Sequence, residues 1–118
     1  NGCAYSQLNL NLIILKMKVL KFGGTSVGSA KNINKVISIL ETSSKTDNCI
    51  VVVSAVGGIT DKLIAVANKA VNKDETYKAS FESIKKHHFV IIDELIKEDS
   101  KNEHVKNIVL EKYYCLLV

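Results

Sequence analysis

The chain has 118 residues, 47% of them apolar and 24% charged, and its 16 basic and 12 acidic side chains leave a formal charge of +4. That length holds one domain at most, and the apolar share suits a folded globular chain rather than a disordered one. The positive charge is spread along the sequence, which excludes a concentrated nucleic-acid patch and fits ordinary solvated faces.

Residues 1–16 precede Met17, the only methionine. Met17 reads as the natural start and residues 1–16 as an upstream extension. The alternation Leu8-Asn9-Leu10-Asn11-Leu12 has the period of an edge strand. The apolar run Leu12 to Leu15 is broken by Lys16 and Lys18, far short of the ~20 residues that span a bilayer. It also lacks the leader and cleavage pattern of a secretory signal. Cys3, Cys49 and Cys115 show neither zinc-ligand spacing nor a disulfide framework. The expectation is a cytoplasmic protein with free thiols, without membrane or nucleic-acid partners.

From Met17 onward the elements alternate. A first strand is expected over residues 18–22, ending in Lys21-Phe22-Gly23-Gly24-Thr25-Ser26-Val27-Gly28. A helix follows over residues 29–42, with Ile33, Val36, Ile37 and Leu40 on one face. The polar stretch 43–48 is a loop. Residues 49–54, Cys-Ile-Val-Val-Val-Ser, form a continuously apolar, β-branched run, the pattern of a strand buried on both faces. A second glycine loop, residues 55–59, leads into a helix over 60–71 with Leu63, Ile64, Ala67, Ala70 and Val71 inward. After residues 72–76 a long amphipathic helix is expected over 77–97, carrying Phe81, Ile84, His88, Ile91, Ile92 and Leu95 on one stripe. Ser100 and Glu103 have capping-box spacing for a last helix with Val105, Ile108, Val109, Tyr113 and Leu116 on its inner face. The order β-α-β-α-α-α supplies two parallel-type strands, too few for a sheet that must be covered on both faces. The sheet is therefore expected to be incomplete, and residues 17–118 to be the N-terminal portion of a larger α/β domain.

The first glycine loop carries the chemistry. Adjacent glycines let successive N–H groups converge on one point, the following helix adds its positive end, and Lys21 adds a full charge, a combination suited to phosphate. The P-loop pattern fails because Ser29 stands where its lysine belongs, and the dinucleotide fingerprint fails because Gly23 and Gly24 are adjacent. The second loop, Ser54-Ala55-Val56-Gly57-Gly58-Ile59-Thr60, sits at the same end of its strand. Parallel neighbours joined by a right-handed crossover bring both loops to one crevice at the carboxyl edge of the sheet, where open α/β sheets bind ligands. Ser54, Thr60 and the helix start suit a small anion such as a carboxylate, while Thr60 also reads simply as an N-cap. The chain has no arginine, so no guanidinium fork is available for that carboxylate.

His87 and His88 point about 100° apart on a helix and do not chelate together; His88 reads as a packed interface histidine. His104 has no evident partner, and the pairs Asp93-Glu94 and Glu98-Asp99 read as surface charge. No metal-ligand set is expected.

The two loops together resemble the aspartate kinases of the amino-acid kinase superfamily. Lys21 to Val27 matches that family's N-terminal signature, and Ser54-Ala55, Gly58-Ile59-Thr60 and Leu63 match its second motif; the likeness extends over about residues 17–96. The resemblance implies a three-layer α/β/α sandwich of which this is the N-terminal part. It implies transfer of the ATP γ-phosphoryl group to the side-chain carboxylate of L-aspartate, giving 4-phospho-L-aspartate, the first step toward lysine, threonine and methionine. Under it, Lys21 neutralises the transferring phosphoryl group, and Gly23, Gly24, Thr25 and Ser26 hold ATP phosphate oxygens. Ser54 and Thr60 bind aspartate, Mg2+ accompanies ATP, and the full-length protein is a homo-oligomer. The family's later acidic residue and arginine, its base pocket and its regulatory domains would lie beyond Val118, leaving the 118 residues inactive by themselves; fusion to homoserine dehydrogenase stays open. The alternatives are a relative acting on acetylglutamate, glutamate or a nucleotide, against which Thr25-Ser26-Val27 argues, and a non-catalytic truncated module.

Overall fold

The computed structural model describes residues 17–115. Residues 1–16, with the alternating segment and Cys3, and Leu116 lie outside the described residues. Within them the order is β1 (Met17–Phe22), α1 (Ala30–Ser43), β2 (Asn48–Val53), α2 (Ile59–Val71), α3 (Tyr77–Leu95) and α4 (Asp99–Cys115). The fold is α/β, with the expected element order and an open sheet of two strands.

β1 and β2 pair in parallel, Lys18 opposite Cys49, Leu20 opposite Val51 and Phe22 opposite Val53. Alternate side chains point to opposite faces, so these six share one face. α1 lies across it, with Ile37 and Leu40 near Cys49 and Val51 at one end and Val36 and Ile39 near Phe22 at the other. The opposite face carries Met17, Val19, Lys21, Ile50 and Val52, all exposed, and Val51 and Val53 on the α1 face are exposed as well, Val53 keeping 58% of its surface and Val52 44%. β2 therefore has the composition of a doubly covered strand without the cover.

The main core lies among the helices. Ile59 and Val66 of α2, Phe81 and Ile84 of α3 and Tyr113 of α4 form one buried cluster, joined by Val56, Leu63, Tyr77 and Val109. Phe81 meets the Tyr113 ring edge-on, with centroids 5.2 Å apart. The expected α3 stripe is buried at Phe81, Ile84, Ile91 and Ile92. His88 is the interface histidine that its position suggests: its Nδ1 lies 2.8 Å from the Tyr113 hydroxyl and 3.0 Å from the Ile84 carbonyl. Burial raises the Tyr113 phenol above its ordinary pKa by desolvating the phenolate. Where α3 meets α4, Asp93 accepts from Lys106 and Asn102, which together hold its carboxyl below the ordinary range.

Three local expectations are corrected. The inward face of α2 is Ile59, Leu63 and Val66; Ile64, Ala67, Ala70 and Val71 are exposed. The helix begins at Ile59 rather than Thr60, and its approach to α3 and α4 selects the stripe continuous with Ile59. Thr60 is not the N-cap, because Gly58 holds that place in the left-handed region at φ 76°. No capping box opens α4: the helix already begins at Asp99, and the Ser100 hydroxyl donates to the Glu98 carboxylate at 3.2 Å. α2 ends in a Schellman arrangement with Lys73 at φ 57°, where glycine is usual. Its N–H donates to the Ala70 carbonyl, and that of Asp74 to the Lys69 carbonyl.

Candidate active site

Both glycine loops leave the carboxyl ends of the paired strands. The Ser54 N–H donates to the Phe22 carbonyl at 3.0 Å, carrying the ladder one residue past β2 and seating loop two beside loop one. The loops then approach backbone to backbone at Gly24 and Gly57. A Cβ on Gly24 would sit 3.1 Å from the Ala55 oxygen and 3.3 Å from the Gly57 Cα; one on Gly57 would sit 3.0 Å from the Gly24 oxygen. Only glycine at both places permits this approach. Gly23, by contrast, has open space about it.

Loop one is a tight series of turns. Ser26 N–H donates to the Gly23 carbonyl at 2.9 Å, Val27 N–H to Gly24 at 3.3 Å and Gly28 N–H to Thr25 at 3.4 Å. Ser29 then caps α1, its hydroxyl accepting from the Asn32 N–H at 3.3 Å. These bonds occupy the later N–H groups of the loop. Among the described residues, those of Gly23, Gly24 and Thr25 donate to no protein group. Loop two uses the Ile59 N–H on the Val56 carbonyl and leaves those of Gly57, Gly58 and Thr60 undonated. α2 has no side-chain cap. Two sets of N–H groups and one uncapped helix end thus meet at a single edge, which is an anion-binding arrangement.

Thr25 and Ser26 open into a cleft of about 320 Å³ on the α1 side of the sheet, with Phe22, Val36 and Ile39 as its apolar wall and Asn32 and Lys35 as further polar groups. Lys21 does not line that cleft; its position in β1 places it on the face away from α1, exposed. Ser54 is exposed at the tip of β2, and Thr60 is exposed as the second residue of α2. The structure therefore brings Gly23, Gly24, Thr25 and Ser26 against the loop that begins at Ser54, while the lysine and the hydroxyls of Thr25 and Ser26 stand on different sides of the sheet edge. Asn32 and Lys35 were not singled out from the sequence. The available signal was the spacing Ser29 to Asn32, an N-cap and the residue whose N–H it accepts.

Among the described residues no group of three or more His, Cys, Asp or Glu side chains converges on a metal position, and no helix is long and apolar enough to cross a membrane. Cys49 and Cys115 are free thiols.

The chain is an α/β unit whose two paired strands each end in adjacent glycines, with a helix after each loop. The amino acid kinase family matches residues 16–114, and the chain belongs to that family. Among its curated relatives, the aspartokinase of Geobacillus stearothermophilus is 46% identical over 55 residues, which are 46% of this chain and 14% of the relative. The aspartokinase of Rickettsia conorii is 42% identical over 52 residues, 43% of this chain and 13% of the relative. The chloroplastic bifunctional aspartokinase/homoserine dehydrogenase of Daucus carota is 33% identical over 79 residues, 67% of this chain and 8% of the relative. The chain thus spans between 8% and 14% of the length of these relatives.

Proposed function

We propose that this chain is the N-terminal part of the catalytic domain of a cytoplasmic aspartate kinase, which moves the γ-phosphoryl group of ATP to the side-chain carboxylate of L-aspartate. The observation that carries the reading is the backbone contact between the two glycine loops at Gly24 and Gly57, within a chain whose curated relatives are aspartokinases. In this reading the N–H groups of Gly23 and Gly24, with the Thr25 and Ser26 hydroxyls, hold the phosphate oxygens. Lys21 offsets the charge of the transferring group. Ser54 and Thr60 hold the aspartate, aided by the open end of α2. Phosphoryl transfer needs little covalent help from the protein, so positioning and charge stabilisation by such groups account for the chemistry.

Mg2+ enters with ATP. It commonly takes one or two carboxylates and keeps phosphate and water oxygens; when bound it would offset part of the phosphate charge. The product, 4-phospho-L-aspartate, opens the route to lysine, threonine and methionine. Homo-oligomerisation of the whole protein is part of the proposal.

The longest natural protein containing this chain tests it. Incubated with ATP, Mg2+, L-aspartate and hydroxylamine, it is expected to give aspartyl hydroxamate, since an acyl phosphate reacts with hydroxylamine and a carboxylate does not. Glutamate and acetylglutamate should give little. Transfer to acetylglutamate in preference to aspartate would move the chain to another branch of the family, and transfer to no acceptor would overturn the kinase reading.

A further inference from the structure

We propose that Asn32 is a positioning residue for the phosphate loop: from the first turn of α1 it fixes the peptide between Thr25 and Ser26, and so the direction of the N–H groups that precede it. The inference rests on the phosphoryl-transfer reading above.

The Thr25 carbonyl is the point on which loop one turns. It accepts from the Gly28 N–H at 3.4 Å and from Asn32 Nδ2 at 2.9 Å, so the side-chain bond is the closer of the two. A carbonyl oxygen only accepts, which makes the amide nitrogen of Asn32 the atom that faces it. The backbone N–H of the same residue donates to the Ser29 hydroxyl at 3.3 Å. Asn32 thereby ties the helix to its cap with one group and to the loop with another. In a capping box the residue three after the cap bonds back to the cap's own N–H. Here the carboxamide passes the cap and reaches seven residues back along the chain.

That reach has a geometric effect. The peptide unit is planar and trans, so its C=O and N–H point in opposite directions. Drawing the Thr25 oxygen toward α1 turns the Ser26 N–H the other way, onto the Gly23 carbonyl, where the 2.9 Å bond closes the first turn. With that turn closed, the N–H groups of Gly23, Gly24 and Thr25 remain available together. Without the Asn32 bond, the Thr25 oxygen keeps only the long contact to Gly28, and the peptide is held chiefly by the Ser26 N–H on its other side.

The test uses the longest natural protein containing this chain in three forms: wild type, Asn32→Asp and Asn32→Gln. Aspartate matches asparagine in shape, lacks the donor and adds a charge, whose share in any KM change is read from its salt dependence, whereas glutamine keeps the donor. Asn32→Asp is expected to raise KM for ATP about five- to ten-fold, the worth of one side-chain hydrogen bond that is partly wet. KM for aspartate and the melting temperature (within about 2 °C) should hold. Amide exchange at Ser26, Val27 and Gly28 should quicken by a similar factor, and Asn32→Gln should recover most of both effects. Three results would overturn the inference. They are unchanged KM and exchange in Asn32→Asp, no recovery in Asn32→Gln, or a joint loss of both KM values and of stability, which marks a purely structural role. If the wild type transfers phosphoryl to no acceptor, the kinase reading falls, and exchange at the three amides alone decides whether Asn32 holds the loop.

Discussion

Replacing Gly57 by alanine probes the contact on which the site depends. The added methyl would lie 3.0 Å from the Gly24 oxygen and 3.3 Å from its carbonyl carbon, both backbone atoms that cannot swing aside as a side chain does. Ordinary contact begins near 3.4 Å, so the loops must part by about 0.4 Å. A misplacement of 1 Å at a reacting centre costs about a hundred-fold in rate; on a logarithmic scale 0.4 Å costs roughly six-fold. Crowding a packed position costs a further ~1 kcal/mol of stability. The aspartyl hydroxamate assay on the whole protein, run beside a thermal melt, should show kcat/KM about six-fold lower in Gly57→Ala than in the wild type. Wild-type kcat/KM in Gly57→Ala would refute the claim that the contact sets the site.

Other outcomes follow from single features. Lys21→Met should lower kcat by about a hundred-fold or more while the melt stays unchanged, because the side chain is exposed and its worth is electrostatic; unaltered turnover would remove it from the mechanism. Lys73→Gly should raise stability by about 1 kcal/mol in urea titration, since it relieves a left-handed lysine and leaves both Schellman bonds intact. Tyr113 should ionise above the usual phenol range, read from the phenolate absorbance and lost in Tyr113→Phe. Its neutral form is the one the fold favours. The stability it contributes is therefore complete below the ordinary value near 10 and declines as pH climbs through the raised one.

Much of the architecture was legible because the local signals were strong. Adjacent glycines after an apolar run fixed both strand ends, and the stripe Phe81, Ile84, Ile91 and Ile92 named the buried side of α3 directly. The inward face of α2 was not legible. Its sequence offers two apolar stripes, Ile59-Leu63-Val66 and Ile64-Ala67-Val71, and only the packing against α3 and α4 chooses between them. The capping box at Ser100 failed for a related reason: the serine hydroxyl donates instead to Glu98, two residues earlier. In the site, the meeting of the loops could be argued from parallel pairing, but not the division of Lys21 from Thr25 and Ser26. Period-two alternation places Lys21 opposite Phe22 in facing, yet which face α1 would cover cannot be read from the strand. Asn32 was missed because an asparagine three residues into a helix looks like a poor helix former until its long reach is seen.

The half-clad second strand also governs how the polypeptide behaves at the bench. Asn48–Val53 carries four consecutive β-branched residues at the border of a two-stranded ribbon, with neither charge nor proline to discourage a stranger from adding alongside. Concentrated alone, such a border is a seed for intermolecular ribbons, and dye-binding fibres would gather first through this segment. Lysines substituted at Ile50 and Val52, which lie on the face away from α1, should keep the preparation dispersed without disturbing the glycine turns.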